Sequence, residues 1–341
     1  MNLSRTAKIT LAVLGLVLVA YAAGYRSDIP TAEVERAYGL PHAKSIEVDG
    51  VAIHYTDMGE GPVVVLIHGS GADIGAWQAL SAALADEGDR VLAPALPGSG
   101  LSGMAADGEY TAISGAAFLR AFLDSLEIAQ ASVVGHSTGG QIAWNAALEE
   151  VSPVERLILV ATTGHPHPSP ITWKLAQVPV LGEVMRQVTP RFVVRMNLED
   201  AFHDDSKITD ELVERYYTMI RREGAREALL ARMRAVSFEG HERVACIMQP
   251  TLVLWGEEDA WLPPELGEWF AAEIPDAKLV RFPEIGHNIP EEVDPQALAS
   301  TVGDWLAARA DATAAAPPAG CAIDLSAGVQ GAIAPEGVAR P

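Results

Sequence analysis

The chain has 341 residues, 49% of them hydrophobic, which suits one large domain with an insertion, or two small domains, around a sizeable core. Its formal net charge of −21 argues against nucleic acid and other polyanions as partners. With only 2 cysteines, Cys246 and Cys321, and no Cys/His ligand spacing, neither a disulfide framework nor a metal site is expected.

The first element is an uncharged, mostly apolar run, Ile9 to Tyr25, preceded by Arg5 and Lys8. Read as an uncleaved anchor over residues 1–25, it spans a membrane once with its basic end inside. The rest of the chain then faces away from the cytoplasm. Read as a signal, it is cleaved near Ala20-Tyr21-Ala22 and the protein is secreted or periplasmic. Tyr21 and Tyr25 suit a membrane interface and favour the anchor.

Residues 26–42 read as a polar connector. Lys44 to Val48 and Val51 to Met58 read as strands around an Asp49-Gly50 hairpin turn. Short apolar runs follow at Val63 to Ile67, Arg90 to Ala93, Ser132 to Val134, Arg156 to Val160, Thr251 to Leu254 and Lys278 to Phe282. Helical patterns lie between most of them: Ala76 to Asp86, Ala112 to Leu126, Gly140 to Leu148, Leu266 to Ile274 and Pro295 to Ala308. Such alternation implies a mostly parallel sheet with helices on both faces, built from residues 43–163 and 246–310. Residues 164–245 break it with helical patterns alone, such as Thr209 to Arg222 and Ala225 to Val236, and read as an inserted helical cap. This stretch holds 12 Lys/Arg and 12 Asp/Glu, so the net charge falls on the remainder. Residues 311–341, rich in Ala, Pro and Gly, read as a disordered tail.

The strongest local signal is Gly135-His136-Ser137-Thr138-Gly139, between a strand and a helix. That is the context of a nucleophile elbow, in which a strained turn lifts the serine hydroxyl above the sheet. A serine hydroxyl is a weak nucleophile and needs a base. Among 9 histidines, His287 stands just past the last strand, where open α/β sheets build their sites. His165, His167 and His241 read as surface or packing residues. The base needs a carboxylate to hold its tautomer. Asp259 follows the strand Thr251 to Leu254, with Glu257 and Glu258 as rivals in the same loop. An oxyanion hole is expected from the backbone N–H groups of Ser70, in His68-Gly69-Ser70-Gly71, and Thr138. His68 is expected to shape its loop. One decoy occurs: Gly98 to Gly103 fits the dinucleotide fingerprint G-x-G-x-x-G, but no apolar helix opens after it.

With these residues in the order Ser, Asp, His, the chain resembles the α/β-hydrolase superfamily, in its capped serine hydrolase branch of esterases, C–C hydrolases and epoxide-hydrolase-like enzymes. The resemblance covers Lys44 to Ala308. It rests on the HG turn, the loop Leu96 to Ser102, the GHSTGG elbow, the LWGEED loop and Gly286-His287. It implies the α/β-hydrolase fold: an eight-stranded, mostly parallel sheet whose second strand is antiparallel, with a cap after the sixth strand. It carries over Ser137, Asp259 and His287 as a triad, and Ser70 and Thr138 as oxyanion donors. Ala95 departs from the family, which usually has a structural aspartate there. Ser137 argues against epoxide hydrolases and haloalkane dehalogenases, whose nucleophile is an aspartate.

The expected activity is hydrolysis of a carboxylic ester of a small or medium, uncharged substrate, without cofactor or metal. The same residues also serve a hydrolase of activated C–C bonds, or a cofactor-free peroxidase or acyltransferase. A catalytically silent binding module with this fold is the reading of another class, and the complete triad argues against it. Apolar cap residues at helical spacing, including Trp173, Leu175, Val178, Phe192, Met196, Tyr216, Met219 and Met233, are expected partly to pack and partly to line the site. An inward-turned Arg191, Arg195 or Arg232 would instead suit a substrate carboxylate.

Overall fold

A computed structural model describes residues 24–168, 170–309 and 321. A helix, α1 (Thr31–Tyr38), precedes the hairpin β1 (Ala43–Val48) and β2 (Val51–Met58). Then come β3 (Val63–Ile67), α2 (Gln78–Asp86), β4 (Arg90–Pro94), α3 (Ala112–Ser125), β5 (Ala131–His136), α4 (Thr138–Ala147) and β6 (Val154–Val160). After β6 lie α5 (Ile171–Gln177), α6 (Pro179–Gln187), α7 (Arg191–Ala201), α8 (Asp210–Arg221) and α9 (Ala225–Ala235). The chain returns to the sheet through β7 (Thr251–Gly256), α10 (Glu265–Glu273), β8 (Ala277–Phe282), α11 (Ile289–Glu292) and α12 (Pro295–Ala308).

The eight strands form one sheet in the order β1-β2-β4-β3-β5-β6-β7-β8. β2 runs antiparallel to both β1 and β4, and the other neighbours are parallel. This is the α/β-hydrolase fold with its antiparallel second strand. β5 and β7 are buried along their whole length, because helices cover both faces of the sheet. α3 packs on α4, and α2 on α12. Each fully buried Leu, Val or Phe in these layers contributes about 1.5–3 kcal/mol over its exposed state. Side-chain caps start several helices: Thr111 accepts from Ser114 N–H, Thr209 from Leu212 N–H, and Asp294 from the N–H groups of Gln296 and Ala297.

Three expectations need correction. Residues 26–42, read as a connector, contain α1, whose one buried residue is Val34. The expected membrane anchor, and the membrane location built on it, do not stand. Among the described residues no helix is long and apolar enough to cross a membrane. A spanning helix needs roughly 20 apolar residues, and the longest described helices have 14. Of the run Ile9 to Tyr25, all but Gly24 and Tyr25 lies outside the described residues, and the cleaved-signal alternative rests on the same run. Tyr25 was expected at a membrane interface, yet it bridges Val188 at the end of α6, with Arg26 N–H donating to Gln187 O at 3.1 Å. Third, the two cysteines pair: Cys246 and Cys321 form a disulfide across 75 residues. The rest of the expected disordered tail lies outside the described residues.

Candidate active site

The elbow forms because two glycines allow the backbones to touch. A Cβ on Gly135 would sit 2.4 Å from Gly139 O, and one on Gly139 2.4 Å from Ile67 O. Ser137, between them, takes φ 54° and ψ −120°, a left-handed conformation that costs a non-glycine residue of order 1–3 kcal/mol. The turn is held by Ser137 N–H on Val160 O (3.0 Å) and Thr163 N–H on Ser137 O (3.2 Å). Ser137 therefore stands at the start of α4, above the carboxyl end of β5.

His287 follows β8 and Asp259 follows β7. His287 Nδ1 donates to Asp259 Oδ2 at 2.8 Å, and both residues are buried. The other oxygen, Oδ1, accepts the N–H groups of Trp261 (2.9 Å) and Leu262 (2.8 Å), so the carboxylate is fixed by three donors. With Nδ1 engaged, His287 keeps Nε2 for a proton transfer, and it lines the same cavity as Ser137. Glu257 and Glu258 are exposed and meet the β8 side only through their backbone N–H groups. Burial thus separates Asp259 from its two neighbours.

On the other flank, Ser70 Oγ lies 3.0 Å from Thr138 Oγ1, which joins the loop after β3 to the elbow. Among the described residues the N–H groups of Ser70 and Thr138 have no backbone acceptor. His68 shapes its loop: Nδ1 donates to Gly69 O and Nε2 accepts from Leu96 N–H, at 2.8 and 3.1 Å. Burial pushes its imidazole down to about 4, so the ring is neutral. His136 is equally buried, pushed down to about 3, and donates from Nε2 to the carbonyl of His287 at 3.0 Å. The loop around Ala95 is held without an aspartate. Ser102 Oγ donates to Ala95 O, Arg222 bonds the carbonyls of Gly100 and Ser102, and Arg232 bonds that of Pro97.

One support was missed in the sequence: residues 201–216 grip the histidine loop. The N–H of His287 donates to Ala201 O at 2.7 Å. Glu292, 1% exposed, accepts the N–H groups of Gly286, His203 and Asp204, each at 2.8 Å. Arg215 and Tyr216, from α8, both bond Glu291, which also holds Asn288. The available signal was Glu291-Glu292, two acids just beyond Gly286-His287.

A cavity of about 520 Å³ opens beside Ser137. Of the expected apolar cap residues, Trp173, Leu175, Phe192, Met196, Tyr216 and Met233 line it, whereas Val178 and Met219 do not. Arg191 and Arg195 point away, into ion pairs with Asp210, and Arg232 is buried against the Pro97 loop. Two other arginines reach the wall. Arg186 pairs with Glu183 and Arg226 with Asp28. Among the described residues no cluster of three or more His, Cys, Asp or Glu side chains suits a metal ion.

The family model of the alpha/beta hydrolase fold matches residues 62–293. A 2-hydroxymuconate semialdehyde hydrolase of a Pseudomonas strain is 32% identical over 281 residues, covering 80% of this chain and 95% of that protein. A meta-cleavage product hydrolase from Pseudomonas fluorescens superposes with a TM-score of 0.69 at 26% identity, over 78% of this chain and 97% of that one. A thermophilic esterase from Thermogutta terrifontis superposes with a TM-score of 0.67 at 27% identity, over 79% and 99%.

Proposed function

The chain belongs to the α/β-hydrolase family and is a hydrolase; from that premise we propose that it cleaves a carboxylic ester of an uncharged, largely apolar acid through an acyl-enzyme on Ser137. Ser137 Oγ attacks the ester carbonyl while His287 Nε2 takes its proton. Asp259 holds the imidazole in the tautomer that leaves Nε2 free and stabilises it once charged. The N–H groups of Ser70 and Thr138 receive the developing oxyanion, an interaction worth about 3–4 kcal/mol per donor in related chemistry. His287 then protonates the leaving oxygen, and water repeats the sequence on the acyl-enzyme.

One observation carries this reading: the cavity beside Ser137 is walled mainly by apolar cap side chains, and both arginines at its wall already hold a carboxylate. An acyl chain leaves water for apolar contacts in such a space, whereas an anion gives up its hydration and meets only arginines that already hold a carboxylate. The acidic remainder of the chain also disfavours anions on approach.

The second reading is hydrolysis of an activated C–C bond by the same residues. Relatives named for such dienoate and semialdehyde substrates support it. So does Arg226, whose buried Nη1 has no hydrogen-bond partner among the described residues. A matched substrate pair, identical but for a terminal carboxylate against its methyl ester, separates the two. The methyl ester is expected to have the higher kcat/KM. A higher kcat/KM for the carboxylate, weakening with salt, overturns the ester reading. Fluorophosphonate labelling is expected on Ser137 and to vanish in Ser137→Ala, with turnover down by about 10⁶-fold. Wild-type turnover in that variant removes the serine mechanism altogether.

A further inference from the structure

Beside the large cavity lies a second recess of about 30 Å³. It shares Ser137, Trp173, Trp261 and His287 with the large cavity and adds Thr138, Thr163 and His167 beside the apolar Pro170, Val236, Phe238 and Leu262. One water needs roughly 10–15 Å³, so the recess fits a molecule the size of water or methanol and is small for a longer alkyl group. The two spaces at one serine differ about seventeenfold in volume.

His167 gives the recess an imidazole that the large cavity does not share. Its Nδ1 lies 2.8 Å from His165 O, and a carbonyl only accepts, so Nδ1 carries the proton. In the neutral ring Nε2 is then an acceptor, and among the described residues it has no protein partner. The Phe238 ring, 5.0 Å away between centroids, packs edge-on against the imidazole and fixes its plane. Burial lowers the affinity of His167 for a proton, which keeps Nε2 an acceptor at neutral pH.

We propose that this recess is the site of the hydroxylic acceptor in deacylation, occupied by the attacking water or by a short alcohol in its place, with His167 as the residue that positions it. The inference rests on the acyl-enzyme reading above and adds to it the size of the acceptor. Water donates one hydrogen to His287 Nε2 and the other to His167 Nε2, which aims its lone pair at the acyl carbon. The oxygen–carbon bond forms as His287 takes the first proton. The bond from carbon to Ser137 Oγ then breaks, and His287 returns that proton to Oγ. The second hydrogen stays on the carboxylic acid product, which ionises in solution. His167 accepts a hydrogen bond throughout and gains no proton.

The test is partition of the acyl-enzyme. The full chain is acylated with p-nitrophenyl butyrate in the presence of equal concentrations of methanol and 1-butanol, and the two product esters are measured. Methyl butyrate is expected in at least tenfold excess. His167→Leu should slow deacylation about tenfold, the effect of one hydrogen bond, while the initial burst of nitrophenolate is retained. His167→Gln keeps an acceptor and should restore most of the rate, which a merely structural role would not produce. Equal yields of the two esters, or unchanged deacylation in His167→Leu, overturn the recess while leaving acylation of Ser137 intact. Absence of both the burst and fluorophosphonate labelling overturns the acyl-enzyme reading and the recess with it.

Discussion

The sheet layer and the cap treat their apolar residues differently. On the sheet, β3, β5, β6 and β7 bury nearly every side chain, and Trp77, Trp144 and Trp255 are closed off from solvent. On α5, α6 and α7 several large apolar residues turn outward: Ile171 is 66% exposed, Val180 76% and Phe192 63%, while Val194 and Leu198 are buried. The first region closes on its own side chains, and the second leaves apolar surface open. The cap itself divides in the same way. Its later part, residues 201–216, is bonded to the histidine loop through Ala201, Glu292 and Glu291, whereas α5 to α7 mainly wall the cavity. The sheet and the later half of the cap thus position Ser137, Asp259 and His287, and the earlier half walls the cavity.

The largest expected effect tests the sheet side. Asp259→Asn should lower kcat by up to roughly 10⁴-fold, since the amide favours the wrong histidine tautomer. Glu257→Gln and Glu258→Gln, on exposed side chains, should leave it within a factor of about two, because surface changes away from special contacts stay within about 0.5 kcal/mol. Steady-state kinetics on the three variants decides. Equal damage in a glutamate variant would move the triad's acid along the loop.

A smaller effect tests whether the later half of the cap belongs with the sheet. In Glu292→Gln one of the two carboxylate oxygens becomes an NH₂, which then faces either the N–H of Gly286 or those of His203 and Asp204. A buried donor left unsatisfied costs about 1–3 kcal/mol. The displaced histidine loop should lower kcat about tenfold with KM nearly unchanged, and the melting temperature should fall by several degrees. A change in KM alone would assign this contact to substrate binding, and the division within the cap would fail.

How much of this was legible depended on the distance over which each cause acts. The strands were readable because both faces are buried, so each is an unbroken apolar run, as in Val63-Val64-Val65-Leu66-Ile67. Ser137, Asp259 and His287 could be nominated because each follows a strand at the carboxyl edge of the sheet. That Asp259 is buried against His287 while the adjacent Glu258 is exposed became visible only in the fold. α1 was missed because Thr31–Tyr38 buries only Val34 and so shows almost no apolar stripe. The grip of Glu292 on His203 and the Cys246–Cys321 disulfide join residues 89 and 75 positions apart, and no local pattern marks such pairs. The division of the cap was equally hidden. Phe192 and Tyr216 look alike as apolar cap residues, yet Tyr216 bonds Glu291 and Phe192 stands at the cavity mouth in solvent.

The smallest effect tests that last contrast. Phe192→Ala removes a ring that is 63% exposed, so no core void forms and the melting temperature should shift by no more than about a degree. The same ring lines the cavity, where it would cover the far end of a long acyl chain. Burial of a phenyl side chain is worth about 1.5–3 kcal/mol, and a ring already half in solvent contributes the lower part of that range. For a series of esters that differ only in acyl length, kcat/KM should therefore fall by about tenfold for the longest chains and stay unchanged for acetate. A uniform fall across the series would mean that Phe192 supports the serine rather than the chain. An unchanged series together with a lower melting temperature would mean that α7 packs like the sheet helices, and the contrast between the two halves of the cap would disappear.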